Sequence, residues 1–364
     1  MVKIPGLSRS PRAKSFNNGL LALLFALAAL TATGAQGQQK PADNREIFLY
    51  QGMDRAQRLF ASAKKEGALT LYTTMTMEDA APLIAAFEKK YGIKVTMWRG
   101  INQKLVQRAV AEARAGKHMV DVFEGSGHSL EILHREELLE KFWSPAFADI
   151  PPEAFPRHGY YAPDNFLFLV MGYNTRLVKP EDVPRTYEDL LQPRWSGNFG
   201  IEASNVVWFA AVVKAMGEEK GLAYFRKLAA MKPQMRSGHT LMTELVVAGE
   251  IPLVLTLYNQ AVDKMKERGA PIEWKALPPA FGRADGIAMA RRAAHPHAAL
   301  LFADFVLSPE GQHYIKAANR VPVNRNVDSS FNKDLFRFVD MAAVLDEWDT
   351  WEKRWNALFI RGRQ

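Results

Sequence analysis

Hydroxyls, amides, two tyrosines and one arginine fall where strand patterns end and helix patterns begin. Thr73 and Thr74 close the alternating run Ala68 to Thr74, Arg99 follows the run Ile93 to Trp98, and Ser126 and Gly127 stand in a Gly-Ser-Gly turn after the run Met119 to Phe123. Ser204 and Asn205 precede the apolar helix pattern Val206 to Met216, Tyr258 and Asn259 follow the run Ile251 to Leu257, and Tyr173 lies at the end of the run Phe166 to Asn174. Open α/β sheets collect ligand groups at these places. Backbone N–H groups at a helix start suit an anion, and flanking glycines let it approach closely. Arg99 adds a cation, because its position after a buried strand favours an anion partner over a solvated loop. Ser126, Ser204 and Asn205 have a plainer reading as N-caps, worth about 1 kcal/mol each to their helices. Cap alone and cap plus ligand both stay open. Tyr72 and Trp98 read as core.

Reaction chemistry finds little support. The chain has no cysteine, which excludes disulfides, thiolate metal sites and cysteine nucleophiles. The phosphate-loop pattern GxxxxGK[ST], the zinc pattern HExxH and the hydrolase pattern GxSxG are all absent. His295 and His297 flank Pro296 at a helix entrance and read as caps rather than metal ligands. His128 and His134 are six apart and off-phase on a helix. The chain therefore reads as a binding protein, not an enzyme, with no cofactor, and an acid–base pair assembled by the fold is the remaining route to catalysis.

The elements that position these residues follow from periodicity. Phe166 to Asn174, FLFLVMGYN, is uncharged and short, as expected of a strand buried on both faces. It reads as a crossing strand between two lobes. Before it come strand–helix units: helices over Asp54 to Glu66, Glu78 to Tyr91, Asn102 to Arg114 and Ser126 to Arg135, with the first two closed by Gly67 and Gly92. Right-handed crossovers between them predict a parallel sheet with helices on its faces. After it a second series runs to Ala276, and Gly286 to Ala290 returns the chain to the first lobe. The fold class is α/β with two lobes, and a cleft between lobes is the default ligand site. In the tail, Leu335, Phe338, Met341, Leu345, Trp348, Trp351, Trp355 and Phe359 have the spacing of a helical strap packed on the lobes.

Composition sets the compartment. With 364 residues, 48% hydrophobic and 24% charged, the chain has the length for two domains and an ordinary globular make-up. Lys3, Arg9, Arg12 and Lys14 precede the apolar run Leu20 to Leu30, and small residues end at Ala35-Gln36-Gly37, the layout of a secretory signal peptide. The apolar run falls short of the roughly 20 residues of a membrane span. No cysteine follows the cleavage region, so no lipid anchor is expected, and no twin arginine precedes the apolar run. Without the four leader cations, 43 basic residues face 39 acidic ones, a formal charge of +4. That excess is too mild to imply nucleic acid.

Several patches taken together resemble the ABC-transporter solute-binding proteins grouped with the ferric-iron binders. They are ALTLYTT at 68–74, GYNT at 172–175, TYEDLLQPRWSG at 186–197, VAGEI at 247–251 and HPHAALLFADFVLSPEGQ at 295–312, in the family's order across roughly residues 68 to 320. The resemblance implies a type II periplasmic-binding fold hinged on two crossing strands. It also implies a monomeric periplasmic protein that closes on a small molecule or ion and delivers it to an ABC permease in the inner membrane. The corresponding boundaries are a leader at 1–37, lobe one at 38–170, lobe two at 171–278, the return to lobe one at 279–330 and the strap at 331–364. Ferric members carry adjacent tyrosines after the VAGE-type segment, and hard oxygen ligands suit that hard cation. Here the stretch reads Leu257-Tyr258-Asn259, and the first loop is Thr73-Thr74-Met75-Thr76-Met77. One phenolate supplies little of the charge a trivalent ion needs, so a small organic or phosphorus oxyanion is the expected ligand. Ferric iron on Tyr258 is the alternative. A subunit that reports ligand to a membrane sensor would share all these features.

Overall fold

The computed structural model describes residues 44–327 and 336–360; the expected leader lies outside them, as do parts of the tail. Helices α1 (Arg45–Phe48) and α2 (Arg55–Glu66) lead into β1 (Ala68–Thr73). Then come α3 (Met77–Tyr91), β2 (Lys94–Arg99), α4 (Asn102–Arg114), β3 (Val122–Ser126), α5 (Gly127–Arg135) and the short β4 (Leu139–Glu140). Gly67 and Gly92 end α2 and α3 at φ of 70° and 65°, the left-handed turn that a residue without Cβ adopts at no steric cost. The long β5 (Ala162–Asn174) carries the chain out of this first half.

The second half contains β6 (Gly200–Glu202), α6 (Val206–Met216), α7 (Glu218–Ala230), β7 (Gln234–Arg236), α8 (His239–Ala248), β8 (Leu253–Tyr258), α9 (Asn259–Glu267) and β9 (Ile272–Lys275). The other long strand, β10 (Ala280–Ala290), brings the chain back to α10 (Pro296–Leu307), α11 (Pro309–Ala317) and β11 (Val321–Pro322). The described tail is β12 (Phe336–Phe338), α12 (Met341–Asp346), α13 (Trp348–Trp355) and a closing wide turn at 356–360.

One sheet runs through both halves in the order β2-β1-β3-β10-β5-β8-β6-β7. The pairs β1–β2, β1–β3 and β6–β7 are parallel, as right-handed crossovers require. The central pairs β3–β10, β10–β5 and β5–β8 are antiparallel, so the sheet is mixed rather than parallel. The cause is the return strand, which must run back between the halves. The same strand moves the end of β3: the sequence pattern stops at Phe123, but Glu124, Gly125 and Ser126 stay in the sheet because β10 pairs with them. Strand β5 is buried at every position but Tyr173, which explains its unbroken apolar run.

The core has two parts. One packs α2, α3, α4 and α10 on β1 and β3 and continues along β5 to α8 and α9. The other covers the opposite face of the second half, where α6 and α7 meet Val344, Trp351, Trp355 and Phe359 of the tail.

Candidate functional site

Glu124, on β3, organises the loop that follows β1. Its carboxylate accepts hydrogen bonds from the Thr73 hydroxyl, from Thr74 N at 3.0 Å and from Met75 N at 3.3 Å, with Thr74 Oγ1 at 3.5 Å. Thr73 is fully buried. The other oxygen, Glu124 Oε1, is buried with no partner among the described residues, as is Asp164 Oδ2. Glu124 and Asp164 line a void of about 10 Å³, about the room of one water. Burial raises the Glu124 pKa, opposed by the charge of Arg320 and reinforced by Asp285. Asp164 is raised well above the carboxylate range by burial and by Glu124 and Asp285.

Glu202 plays the matching part in the second half. It accepts from Ser204 N at 2.8 Å, Ser204 Oγ at 2.7 Å, Asn205 Nδ2 at 3.1 Å and Gly238 N at 2.9 Å. Asn205 stands at the N-cap of α6 but makes no side-chain cap; its Nδ2 donates to Glu202 instead. Ser126 is a true cap: its hydroxyl accepts from Ser129 N at 3.2 Å, and Asn102 Oδ1 accepts from Ser126 N at 3.3 Å and Ser129 Oγ at 3.0 Å. Gly127 follows because the α5 start crosses β10 closely. A Cβ there would lie 3.2 Å from the Ala284 carbonyl oxygen and 3.5 Å from Met341.

Between these two loops lies a charged knot on the long strands. Asp285 of β10 is level with Ser126 on one side and Asn165 on the other. It pairs with Arg283 at 2.6 Å and with Arg320 at 3.6 Å. Arg320, almost fully buried, also reaches Asp79 at 3.5 Å and donates to Asn165 Oδ1 at 3.2 Å. Arg283 is 11% exposed, and its guanidinium carbon sits 5.1 Å over the Tyr258 ring. Burial raises the Tyr258 pKa, while the Arg283 charge opposes the rise. The His239 ring lies 4.1 Å from Tyr258, and its Nδ1 meets the Thr256 carbonyl oxygen at 2.8 Å. His239 and His128 are both pushed down, by burial first and with the Arg283 charge contributing, and His128 falls to about 4. Arg283 thus acts at once on α5, α8 and Tyr258. Chemically, the arrangement offers a nearly buried guanidinium paired on one side with Asp285, a phenol, and two imidazoles whose charged forms burial disfavours.

Of the residues singled out in the sequence, Ser126, Gly127 and Tyr258 gather around Arg283. Thr73, Thr74, Ser204 and Asn205 flank that centre but are bound to the two glutamates. Asn259 is buried and its Oδ1 accepts from Phe168 N at 3.1 Å, pinning α9 to β5. Arg99 is level with Thr73 across the β1–β2 ladder and exposed, with no ion pair among the described residues. Tyr173 is level with Leu253, whereas Tyr258 is level with Leu169. Four residues of strand place it about 13 Å farther along β5.

His295 and His297 hold carboxylates, Asp121 at 2.9 Å and Glu66 at 2.7 Å. Those acids also accept from His295 N, His297 N and Ala298 N, so they are what caps α10. His134 stacks on His158, away from His128. Among the described residues no group of three or more histidine, cysteine, aspartate or glutamate side chains is placed to hold a metal ion. A surface groove of about 270 Å³ lies elsewhere, lined by Lys117, His118, Glu137, Arg291 and Arg292 among others, and none of the candidate residues reaches it.

Sequence reasoning missed Arg283, Asp285, Glu124, Glu202 and His239. The signal for the first two was present: the run AFGRADGIAMA reads as a buried strand interrupted by a cation and an acid two residues apart, hence on one face. The glutamates gave none, since a lone acid in a strand pattern looks the same whether it meets solvent or a loop.

A protein-family model described as bacterial extracellular solute-binding protein matches residues 117–346, more than half of the chain. The Fe(3+)-binding periplasmic protein of Serratia marcescens is 24% identical over 292 residues, which cover 78% of this chain and 86% of that one. Iron-bound HitA from Pseudomonas aeruginosa superposes with a TM-score of 0.70 at 23% identity, over 80% of this chain and 99% of HitA. The periplasmic binding protein AfuA from Actinobacillus pleuropneumoniae, solved with fructose-6-phosphate, gives 0.70 at 21%, over 81% and 99%. The fold is the two-lobed type II periplasmic-binding fold, hinged on its two crossing strands, as the sequence resemblance implied. The chain is a member of the bacterial extracellular solute-binding protein family.

Proposed function

We propose that this protein captures a small organic or phosphorus oxyanion in the cleft between its lobes and, as a free periplasmic monomer, hands it to an ABC permease of the inner membrane. The supporting observation is Arg283: a guanidinium on a crossing strand, nearly buried, stacked on Tyr258 of the second half and acting on His128 of the first. A ligand that engages it touches both halves. Closure then follows from the difference in affinity between the open and closed forms, since only that difference moves the equilibrium. Ser126 and Gly127 at the start of α5 and Arg99 at the rim complete the proposed contacts, with Thr73, Thr74, Ser204, Asn205 and Asn259 shaping the walls. Tyr173 serves the hinge strand rather than the ligand.

Ferric iron, named in the relatives above, is the competing ligand. It fits this cleft poorly, because a single phenol with the Arg283 guanidinium 5.1 Å over its ring offers little of the negative charge that a trivalent cation needs. The test is calorimetric titration with inorganic phosphate and small carboxylates. Arg283→Gln and Tyr258→Ala are each expected to weaken binding more than tenfold, above about 1.4 kcal/mol. Affinity unchanged by Arg283→Gln overturns the reading.

A further inference from the structure

His128 is the second residue of α5, one step past the Gly127 crossing. Its Nδ1 is buried and has no hydrogen-bond partner among the described residues, and Arg283 Nε is in the same condition. Orphaned buried polar atoms are rare and cost free energy unless something pairs with them. Here the two stand at one crossing: a Cβ on Gly127, the residue before His128, would lie 3.2 Å from the carbonyl oxygen of Ala284, the residue after Arg283, and the Arg283 charge reaches the imidazole. The cap of α5 is made by Ser126 and not by His128.

The ring is also held in place from outside its own helix. Trp348, the first residue of α13, lies 4.6 Å from it at an interplanar angle of 40°. The two residues before Trp348 grip both sides: Asp346 accepts from Arg135 of α5 at 2.7 Å, and Glu347 pairs with Lys214 of α6 at 3.0 Å. Trp351, Trp355 and Phe359 root the tail in the second part of the core, and Trp355 Nε1 donates to the Ala203 carbonyl beside Ser204 at 2.9 Å. The tail therefore touches α5 at His128 and the Ala203–Ser204 turn of the second half, and Trp348 packs on a side chain near Arg283.

We propose that His128, positioned by Trp348, selects the organic part of the ligand: it hydrogen-bonds a hydroxyl on the group attached to the oxyanion that Arg283 holds. The cleft then prefers a hydroxylated organic oxyanion to its unhydroxylated counterpart. The proposal rests on the oxyanion reading above. A neutral imidazole offers one donor or one acceptor according to its tautomer, and a hydroxyl satisfies either.

Calorimetric titration with inorganic phosphate, ethyl phosphate and 2-hydroxyethyl phosphate tests it. The unaltered protein is expected to bind the hydroxyethyl ester about tenfold more tightly than the ethyl ester, the worth of one well-made hydrogen bond. His128→Ala brings the two esters to within about twofold of each other, Trp348→Ala erodes the preference, and His128→Asn, which keeps a donor and an acceptor, retains part of it. Binding that depends on Arg283 but shows the same ester preference in His128→Ala overturns this proposal alone, as does an unaltered protein that does not distinguish the esters. Binding of none of the three phosphates overturns this proposal, and if the small carboxylates also fail to bind, or binding is indifferent to Arg283→Gln, the oxyanion reading falls with it.

Discussion

Glu124 and Glu202 each gather a polar loop, one in each half of the molecule, yet their surroundings differ. Glu202 spends its carboxylate on four donors from the Ser204–Asn205 turn and Gly238. Glu124 gathers Thr73, Thr74 and Met75 with one oxygen and leaves the other unpaired, among two further buried acids and Arg320. Residues that look like ligand donors in the sequence are thus already occupied in both halves. Among the described residues, the buried polar atoms without a hydrogen bond around this centre include Arg283 Nε and His128 Nδ1 as well as Glu124 Oε1 and Asp164 Oδ2. In the proposed site, hydroxyls and amides at strand ends are structural, held by the two glutamates, and Arg283 on β10 is the cation offered to the ligand.

Breaking the knot around Glu124 should have the largest effect. Arg320→Leu removes the cation that Asp79 and Asp285 share, leaving Asp285 to Arg283 at 2.6 Å and Asp79 to Lys264 at 3.0 Å, and is expected to cost about 3 kcal/mol in urea unfolding. A loss below about 1 kcal/mol would mean that those acids do not depend on Arg320. Next comes the contrast between the two glutamates. Glu202→Gln weakens four hydrogen bonds to a carboxylate and is expected to cost about 1–3 kcal/mol. Glu124→Gln replaces a carboxyl that burial already biases toward its neutral form, so its cost should stay under about 1 kcal/mol. Equal losses in the two variants would erase the difference.

The smallest effect is in pH dependence. Glu124 and Asp164 hold protons in the fold at pH values where the unfolded chain has released them, from about pH 4 upward. The folded state then binds more protons than the unfolded one, so this contribution to stability falls as pH rises through the window between the ordinary and the raised values. Glu124→Gln should flatten that part of the curve, and an unchanged slope in the variant would show that Glu124 does not titrate there.

The helices were largely legible because their periodicity is local. The pattern over Asn102 to Arg114 marks α4 at both ends, and Gly67 and Gly92 mark the stops of α2 and α3. Strand ends were less so, since β3 runs on to Ser126 only through its pairing with β10, more than 150 residues away. The candidate site was legible as positions rather than partners. Tyr258 and the turn at Ser126 and Gly127 stand out by type and place, but that Thr73 and Ser204 serve glutamates depends on a long-range approach that no spacing encodes. Arg283 was visible as a charge inside a strand pattern, and its meaning came only with the Tyr258 ring beneath it.

The measurement that bears most directly on an anion site built around Arg283 and Tyr258 is a ferric titration of the metal-stripped protein, followed by visible absorption. Phenolate bound to ferric iron gives a coloured charge-transfer band. The arrangement of Arg283 over the single Tyr258 phenol predicts no saturable band, together with retained binding of oxyanions. A saturable band that disappears in Tyr258→Phe would contradict it and identify the phenol as a ligand to iron.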